Sequence, residues 1–173
     1  MLIYNKKLAV SPLTTHVPLK NVAKLIKKKK IIENIIKIDN FYRLYIKKKP
    51  SIAVLGLNPH CETTSKISEE KNEIYPAKKY LLKSKFNLAG PIPADTFFLK
   101  KNINRFDVVL GMYHDQVLIP AKTLFGFNAI NITLGLPFIK ITPDHGPNYE
   151  MIGKNKSDPS SIFYAFEFLD KLK

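Results

Sequence analysis

Asp107-Val108-Val109-Leu110-Gly111-Met112-Tyr113-His114-Asp115-Gln116 decides the fold. The run from 107 to 113 is apolar, β-branched at its start and too short for a buried helix. It reads as a strand buried on both faces. A histidine and an acid follow at once, where such a strand ends. The same arrangement recurs twice. Leu8-Ala9-Val10-Ser11-Pro12-Leu13-Thr14-Thr15 leads to His16, and Ser51-Ile52-Ala53-Val54-Leu55-Gly56-Leu57-Asn58-Pro59 leads to His60. Buried strands alternating with helical stretches predict a parallel or mixed α/β sheet. In such sheets ligands bind at the carboxyl ends of the strands.

The intervening segments support this reading. Val17 to Tyr45 reads as one long helix, with Pro18 near its start and Val22, Leu25, Ile26, Ile32, Ile35, Ile36 and Ile38 as its apolar face. Ser68-Glu69-Glu70 caps a second helix running toward Lys85. Gly90-Pro91-Ile92-Pro93 is extended or turned, because each proline disfavours helix in the residue before it. A short helix follows His114. Asn128 to Leu134 and Phe138 to Ile141 read as strands around Gly135-Leu136-Pro137. A last helix starts near Ser157-Asp158-Pro159-Ser160, with Phe163, Phe166 and Leu169 on one face. No repeat or linker divides the chain, so residues 1–173 are expected to form a single α/β domain.

Composition narrows the class. The 173 residues are 45% hydrophobic, enough for one domain with a core. No apolar stretch is long enough to span a membrane, and the N-terminus lacks a signal-peptide pattern. One cysteine, Cys61, forms no intrachain disulfide and fits a reducing, cytoplasmic setting. A net charge of +14 raises nucleic-acid binding. The charge is nearly all lysine, with Arg43 and Arg105 the only arginines, and arginine is the usual reader of base edges and phosphates. The chain is therefore expected to bind neither nucleic acid nor membrane. Some of the excess charge can attract an anionic substrate.

Three imidazoles at equivalent strand ends suggest a divalent metal site made by His16, His60 and His114, with positions open for substrate. Spacing alone leaves structural histidines as an equal reading, since no local ligand signature is present. Asp95 and Asp115 stand where a carboxylate can orient an imidazole or accept a proton; a capping and a turn aspartate are the plain alternatives. Lys122, Asn131 and Lys140 could together hold a phosphate by charge and hydrogen bonds.

Six motifs occur in order: Thr14-Thr15-His16-Val17-Pro18-Leu19, Leu57-Asn58-Pro59-His60, Gly90-Pro91-Ile92-Pro93-Ala94-Asp95-Thr96, Met112-Tyr113-His114-Asp115-Gln116, Asn131 to Ile139, and Pro143-Asp144-His145-Gly146. Together they closely resemble the 4-hydroxythreonine-4-phosphate dehydrogenase family of vitamin B6 biosynthesis, from about Leu8 to Leu169. The resemblance implies a three-layer α/β/α fold like that of the isocitrate and isopropylmalate dehydrogenases. It implies NAD-dependent oxidation of 4-phosphooxy-L-threonine to 2-amino-3-oxo-4-phosphooxybutanoate, followed by decarboxylation. The family's metal ligands, for zinc, magnesium or cobalt, fall on His16, His60 and His114. Its substrate contacts fall on Lys122, Asn131 and position 140, where lysine replaces the family's arginine and its bidentate geometry. His145, Gly146 and Glu150 fall on the adenosine-binding loop of the isopropylmalate dehydrogenase relatives.

The family is about twice as long, and this chain matches only its C-terminal half. The resemblance also implies a homodimer with the site at the subunit interface. Two places carry glycine in the family and not here, Val117 and the stretch from Cys61 to Lys66. Three readings follow: an enzyme domain, completed by a separately encoded N-terminal half; an inactive remnant; and, remotely, a lysine-rich nucleic-acid binder.

Overall fold

The computed structural model describes residues 1–61, 67–146 and 149–172. Seven strands form one mixed sheet: β1 (Leu2–Tyr4), β2 (Ala9–Thr14), β3 (Ile52–Leu55), β4 (Leu88–Ile92), β5 (Val108–Tyr113), β6 (Ile130–Thr133) and β7 (Lys140–Pro143). Their order is β4-β3-β5-β2-β1-β6-β7. Strands β4, β3, β5 and β2 are parallel, whereas β1 pairs antiparallel with both β2 and β6, and β6 with β7. The strands expected from the apolar runs are present, and the sheet is mixed because the β1–β2 and β6–β7 connections are hairpins.

Among the described residues, seven α-helices flank the sheet: α1 (Val22–Leu25), α2 (Lys28–Phe41), α3 (Tyr75–Lys83), α4 (Ala94–Phe97), α5 (Lys100–Ile103), α6 (His114–Phe125) and α7 (Ser160–Asp170). On one face Ile31, Ile35 and Ile38 of α2, Leu81 of α3 and Phe168 of α7 pack on Leu110, Ile130 and Ile132. On the other, Phe97 of α4 and Val117 and Ala121 of α6 pack on Ile3, Val10, Ala53 and Val109. This is the expected three-layer α/β/α architecture. Among the described residues, no helix is long and apolar enough to cross a membrane.

Two local expectations are corrected. The helix expected from Val17 to Tyr45 is broken at Ile26 and Lys27, both extended. The break buries Ile26 completely and opens an N-terminus at α2. Glu73, distant in sequence, fills that end: its carboxylate accepts from Lys28 N–H at 2.6 Å and lies 3.2 Å from Lys27 Nζ. A helix beyond Phe41 continues only as a π-type turn over Tyr42–Ile46. The expected face of the last helix is also reversed, since Phe163 and Phe166 are exposed while Ser161, Ala165 and Phe168 are buried. Ser161 sets this orientation. Its hydroxyl donates to Ala129 O at 2.6 Å and accepts from Asp144 N–H at 2.8 Å, so that face must turn inward.

Candidate active site at the carboxyl edge of the parallel strands

His16, His60, Asp95 and His114 follow β2, β3, β4 and β5, and those four strands are parallel. One edge of the sheet therefore collects all four side chains. The His16 and His114 rings lie 5.6 Å apart between centroids. His114 Nδ1–H donates to Asp115 Oδ1 at 2.7 Å, a pairing that presents Nε2 as the free lone pair. His60 Nδ1 lies 3.6 Å from Asp95 Oδ2, beyond direct hydrogen bonding. The edge thus holds two pairs, His16 with His114 and His60 with Asp95. Among the described residues, no group of three or more His, Cys, Asp or Glu side chains closes around one point.

The His60 loop is held in an uncommon backbone conformation. His60 and Cys61 are both left-handed, with φ of 56° and 54°. Such a conformation costs a non-glycine residue of order 1–3 kcal/mol and persists only where its surroundings fix it. The fixing groups are visible. Glu70, fully buried, accepts from the Leu57 and Asn58 backbone N–H groups at 2.8 Å each and from Asn58 Nδ2 at 2.7 Å. Gln116 accepts from Met112 N–H at 2.7 Å and donates to Gly56 O at 2.8 Å. Thr14 Oγ1 donates to Met112 O at 2.8 Å. The sequence reading did not single out Thr14, Glu70 or Gln116 as site residues. The signal for Gln116 was its place beside His114 and Asp115 in one motif. For Glu70 it was a second consecutive acid beyond what a helix cap requires. Burial pushes the Cys61 thiol above its ordinary pKa, and Glu70 and Asp95 add to the rise against a backbone hydrogen bond at Gly56.

Val117, where the resemblance implies glycine, does not line the edge. It is fully buried, and Gly111 on β5 provides the space its side chain fills. The altered stretch after Cys61, residues 62–66, lies outside the described residues.

The expected phosphate contacts share one side of the sheet. Register places Asn131 beside Ile3 and Thr142, and Lys140 beside Thr133, on the face that α6 covers nearer the centre. Asn131 Oδ1 is buried without a hydrogen-bond partner, and Lys140 is exposed. Lys122 lies about two turns, or ~12 Å of helix axis, beyond His114 on α6. Its ammonium is engaged by Asp144, whose backbone carbonyl accepts from it and whose Oδ2 stands at 2.7 Å. Lys122 also lies 4.8 Å over the Phe127 ring.

The expected cofactor residues lie elsewhere. β7 runs against the parallel strands, so His145 and Gly146 leave it at the opposite edge of the sheet from His114. His145 packs edge-on against Phe127 with centroids 6.2 Å apart. Glu150 sits exposed in the turn Tyr149–Met151. Across this loop the Ser160 hydroxyl and backbone N–H hold the Asp158 carboxyl below its ordinary pKa, with His145 adding a smaller pull.

A mixed α/β sheet sandwiched by helices, with histidines and carboxylates gathered at its parallel edge, defines a three-layer α/β protein with a candidate site at the carboxyl ends of its parallel strands. The chain belongs to the family of the pyridoxal phosphate biosynthetic protein PdxA, which it matches over residues 1–169. It is 46% identical over 175 aligned residues to the 4-hydroxythreonine-4-phosphate dehydrogenase of Sulfurihydrogenibium sp. (strain YO3AOP1), covering 100% of this chain and 54% of that protein. The Aquifex aeolicus (strain VF5) enzyme of the same name is 42% identical, over 99% of this chain and 53% of that protein. The crystal structure of 4-hydroxythreonine-4-phosphate dehydrogenase from Klebsiella pneumoniae superposes with a TM-score of 0.84 at 33% identity, covering 99% of this chain and 53% of that one. This chain thus spans about half the length of the relatives it matches.

Proposed function

We propose that this chain supplies the metal-binding and substrate-gripping half of a 4-hydroxythreonine-4-phosphate dehydrogenase. The reaction is NAD-dependent oxidation of 4-phosphooxy-L-threonine to 2-amino-3-oxo-4-phosphooxybutanoate, whose decarboxylation gives 3-amino-2-oxopropyl phosphate. The observation that carries this reading is the convergence of His16, His60, Asp95 and His114 at one edge of four parallel strands. The donor set fits a divalent ion such as zinc, because imidazoles with one nitrogen held by a carboxylate are its common ligands. Bound there, the ion would lower the pKa of the substrate hydroxyl and stabilise negative charge developing on oxygen.

The chain's own residues do the rest. Asp115 orients His114 through Nδ1. Asp95, exposed beside His60, is the carboxylate available to take the hydroxyl proton. Asn131 offers a buried, unsatisfied amide end, which a ligand's polar group would complete. Lys140, exposed on the same face as Asn131, adds positive charge suited to a phosphate, whereas Lys122 would serve one only by leaving its ion pair with Asp144. His145, Gly146 and Glu150 are each exposed and suited to the adenosine end of NAD.

The separation of the histidines into two pairs, and the ~12 Å along α6 between His114 and Lys122, favour a site completed across a homodimer. A second copy would supply the ligand or substrate contact that one copy does not bring close.

The test is NADH formation from 4-phosphooxy-L-threonine with zinc or magnesium, with and without the N-terminal half of a relative added as a separate chain. Turnover is expected in the complemented mixture. A folded protein inactive in both mixtures would instead be a remnant. Zinc binding is tested apart from turnover. If His16→Ala, His60→Ala and His114→Ala all bind zinc as the parent does, the metal assignment is wrong. Light scattering that shows only monomers with zinc present would remove the shared site.

A further inference from the structure

The polar groups behind the histidines form one continuous chain. It starts at Thr14, two residues before His16, whose hydroxyl donates to Met112 O. The Met112 N–H passes it to Gln116, and the Gln116 amide donates to Gly56 O. Gly56 leads directly to Leu57 and Asn58, whose N–H groups end on the buried Glu70 carboxylate. Each junction lies just before one of the three histidines. The sheet's own ladder stops short of the His60 loop: β3 ends at Leu55, so the Leu57 and Asn58 N–H groups depend on a side chain for their hydrogen bonds. Glu70 comes from the turn ahead of α3, and Gln116 from the first turn of α6. Between them they tie three separate elements to one loop, the one whose histidine is left-handed.

We propose that Glu70 and Gln116 are positioning residues that clamp the His60 loop to the β5–α6 junction and so set how His60 stands toward a metal. The metal clause rests on the function proposed above, whereas the clamp itself does not. Neither residue meets substrate: Glu70 is fully buried, and the Gln116 amide is used at both ends by backbone. Their effect reaches the site through backbone. A support of this kind behind a metal ligand commonly contributes about 10–100-fold in metal affinity.

The full chain carries Glu70→Ala, Glu70→Gln and Gln116→Leu singly, with His60→Ala as the control. Two quantities are read: amide hydrogen exchange residue by residue, and zinc affinity by competition with a chromophoric chelator. In Glu70→Ala, exchange at Leu57 and Asn58 is expected to quicken at least about tenfold while Val109 and Leu110 keep their protection. Zinc affinity is expected to fall about 10–100-fold. Glu70→Gln keeps an acceptor oxygen for both N–H groups but turns an NH2 toward Asn58 Nδ2, so both readings should fall between the parent and Glu70→Ala. Gln116→Leu should loosen the Leu57 end and weaken zinc without unprotecting β5. Unchanged exchange at Leu57 and Asn58 in Glu70→Ala overturns the clamp. Quickened exchange with unchanged, His60-dependent zinc affinity overturns its role at the metal. If His60→Ala binds zinc as the parent does, His60 is not a ligand and the clamp's role at the metal falls, while exchange still decides the clamp. If Glu70→Ala does not fold, Glu70→Gln and Gln116→Leu decide the same points.

Discussion

Gly56→Ala places a methyl group where the His60 loop folds back on its own strand. A Cβ there would stand 2.5 Å from Cys61 Sγ and 3.1 Å from Glu70 Oε1. Ordinary contact needs about 3.5–4.0 Å, so the sulfur must retreat by roughly 1 Å. The Gly56 backbone itself is in a region any residue adopts, so the cost is steric alone. Overpacking of this size costs about 1–3 kcal/mol. The lower entropy of the unfolded alanine chain offsets about 0.4–1 kcal/mol of that. A net loss near 1–2 kcal/mol is expected, which at about 2–4 °C per kcal/mol for a chain this long lowers Tm by about 2–8 °C. The partner variant is Cys61→Gly, which removes the sulfur and relieves the left-handed residue. Gly56→Ala in that background should cost about 1 kcal/mol less than in the parent. Urea denaturation of the four proteins measures both numbers. A Gly56→Ala protein as stable as the parent, or a cost unchanged by Cys61→Gly, would refute the packing described for this loop.

Glu73→Ala removes the cap of α2 and should cost about 1 kcal/mol, measured by urea denaturation, with the loss of helix signal confined to a small change. Lys122→Met strands Asp144, whose side chain is only 8% exposed, and should destabilise the protein by about 1–3 kcal/mol at neutral pH, discounted for the partial exposure of Lys122. Urea denaturation measures the loss, and a variant as stable as the parent would argue against the ion pair. The Cys61 thiol is raised by burial, so its alkylation should be slow near neutrality and half-maximal above the ordinary thiol pKa of 9.0. The sign follows from linkage: with the folded value above the unfolded one, its contribution to stability is complete below the unfolded value and is lost as pH rises through the folded one. Iodoacetamide kinetics against pH check this, and fast labelling at pH 7 would contradict it.

The strands and the edge they share were legible because buried strands announce themselves as short apolar runs, and a histidine after each run needs only the strand to end. The break at Ile26 was not legible, since its cap comes from Glu73, nearly fifty residues away on another element. The orientation of α7 was hidden for the same reason. Phe163 and Phe166 look like core by composition, but Ser161 answers to Ala129 and Asp144. Lys122 looked like a free phosphate ligand because nothing in the sequence shows that Asp144 reaches it. His145 looked adjacent to the other histidines in kind, but the direction of β7, set by a hairpin, sends it to the far edge.

The sheet's outer strands have a consequence for assembly. β4 and β7 are the edges, and each contains a proline, Pro91 and Pro143. Proline offers no N–H to an incoming strand, and Lys140 adds an exposed charge on β7. Edge-to-edge pairing into one continuous sheet is therefore disfavoured at both ends, which leaves helices and loops as the surfaces for any contact between copies.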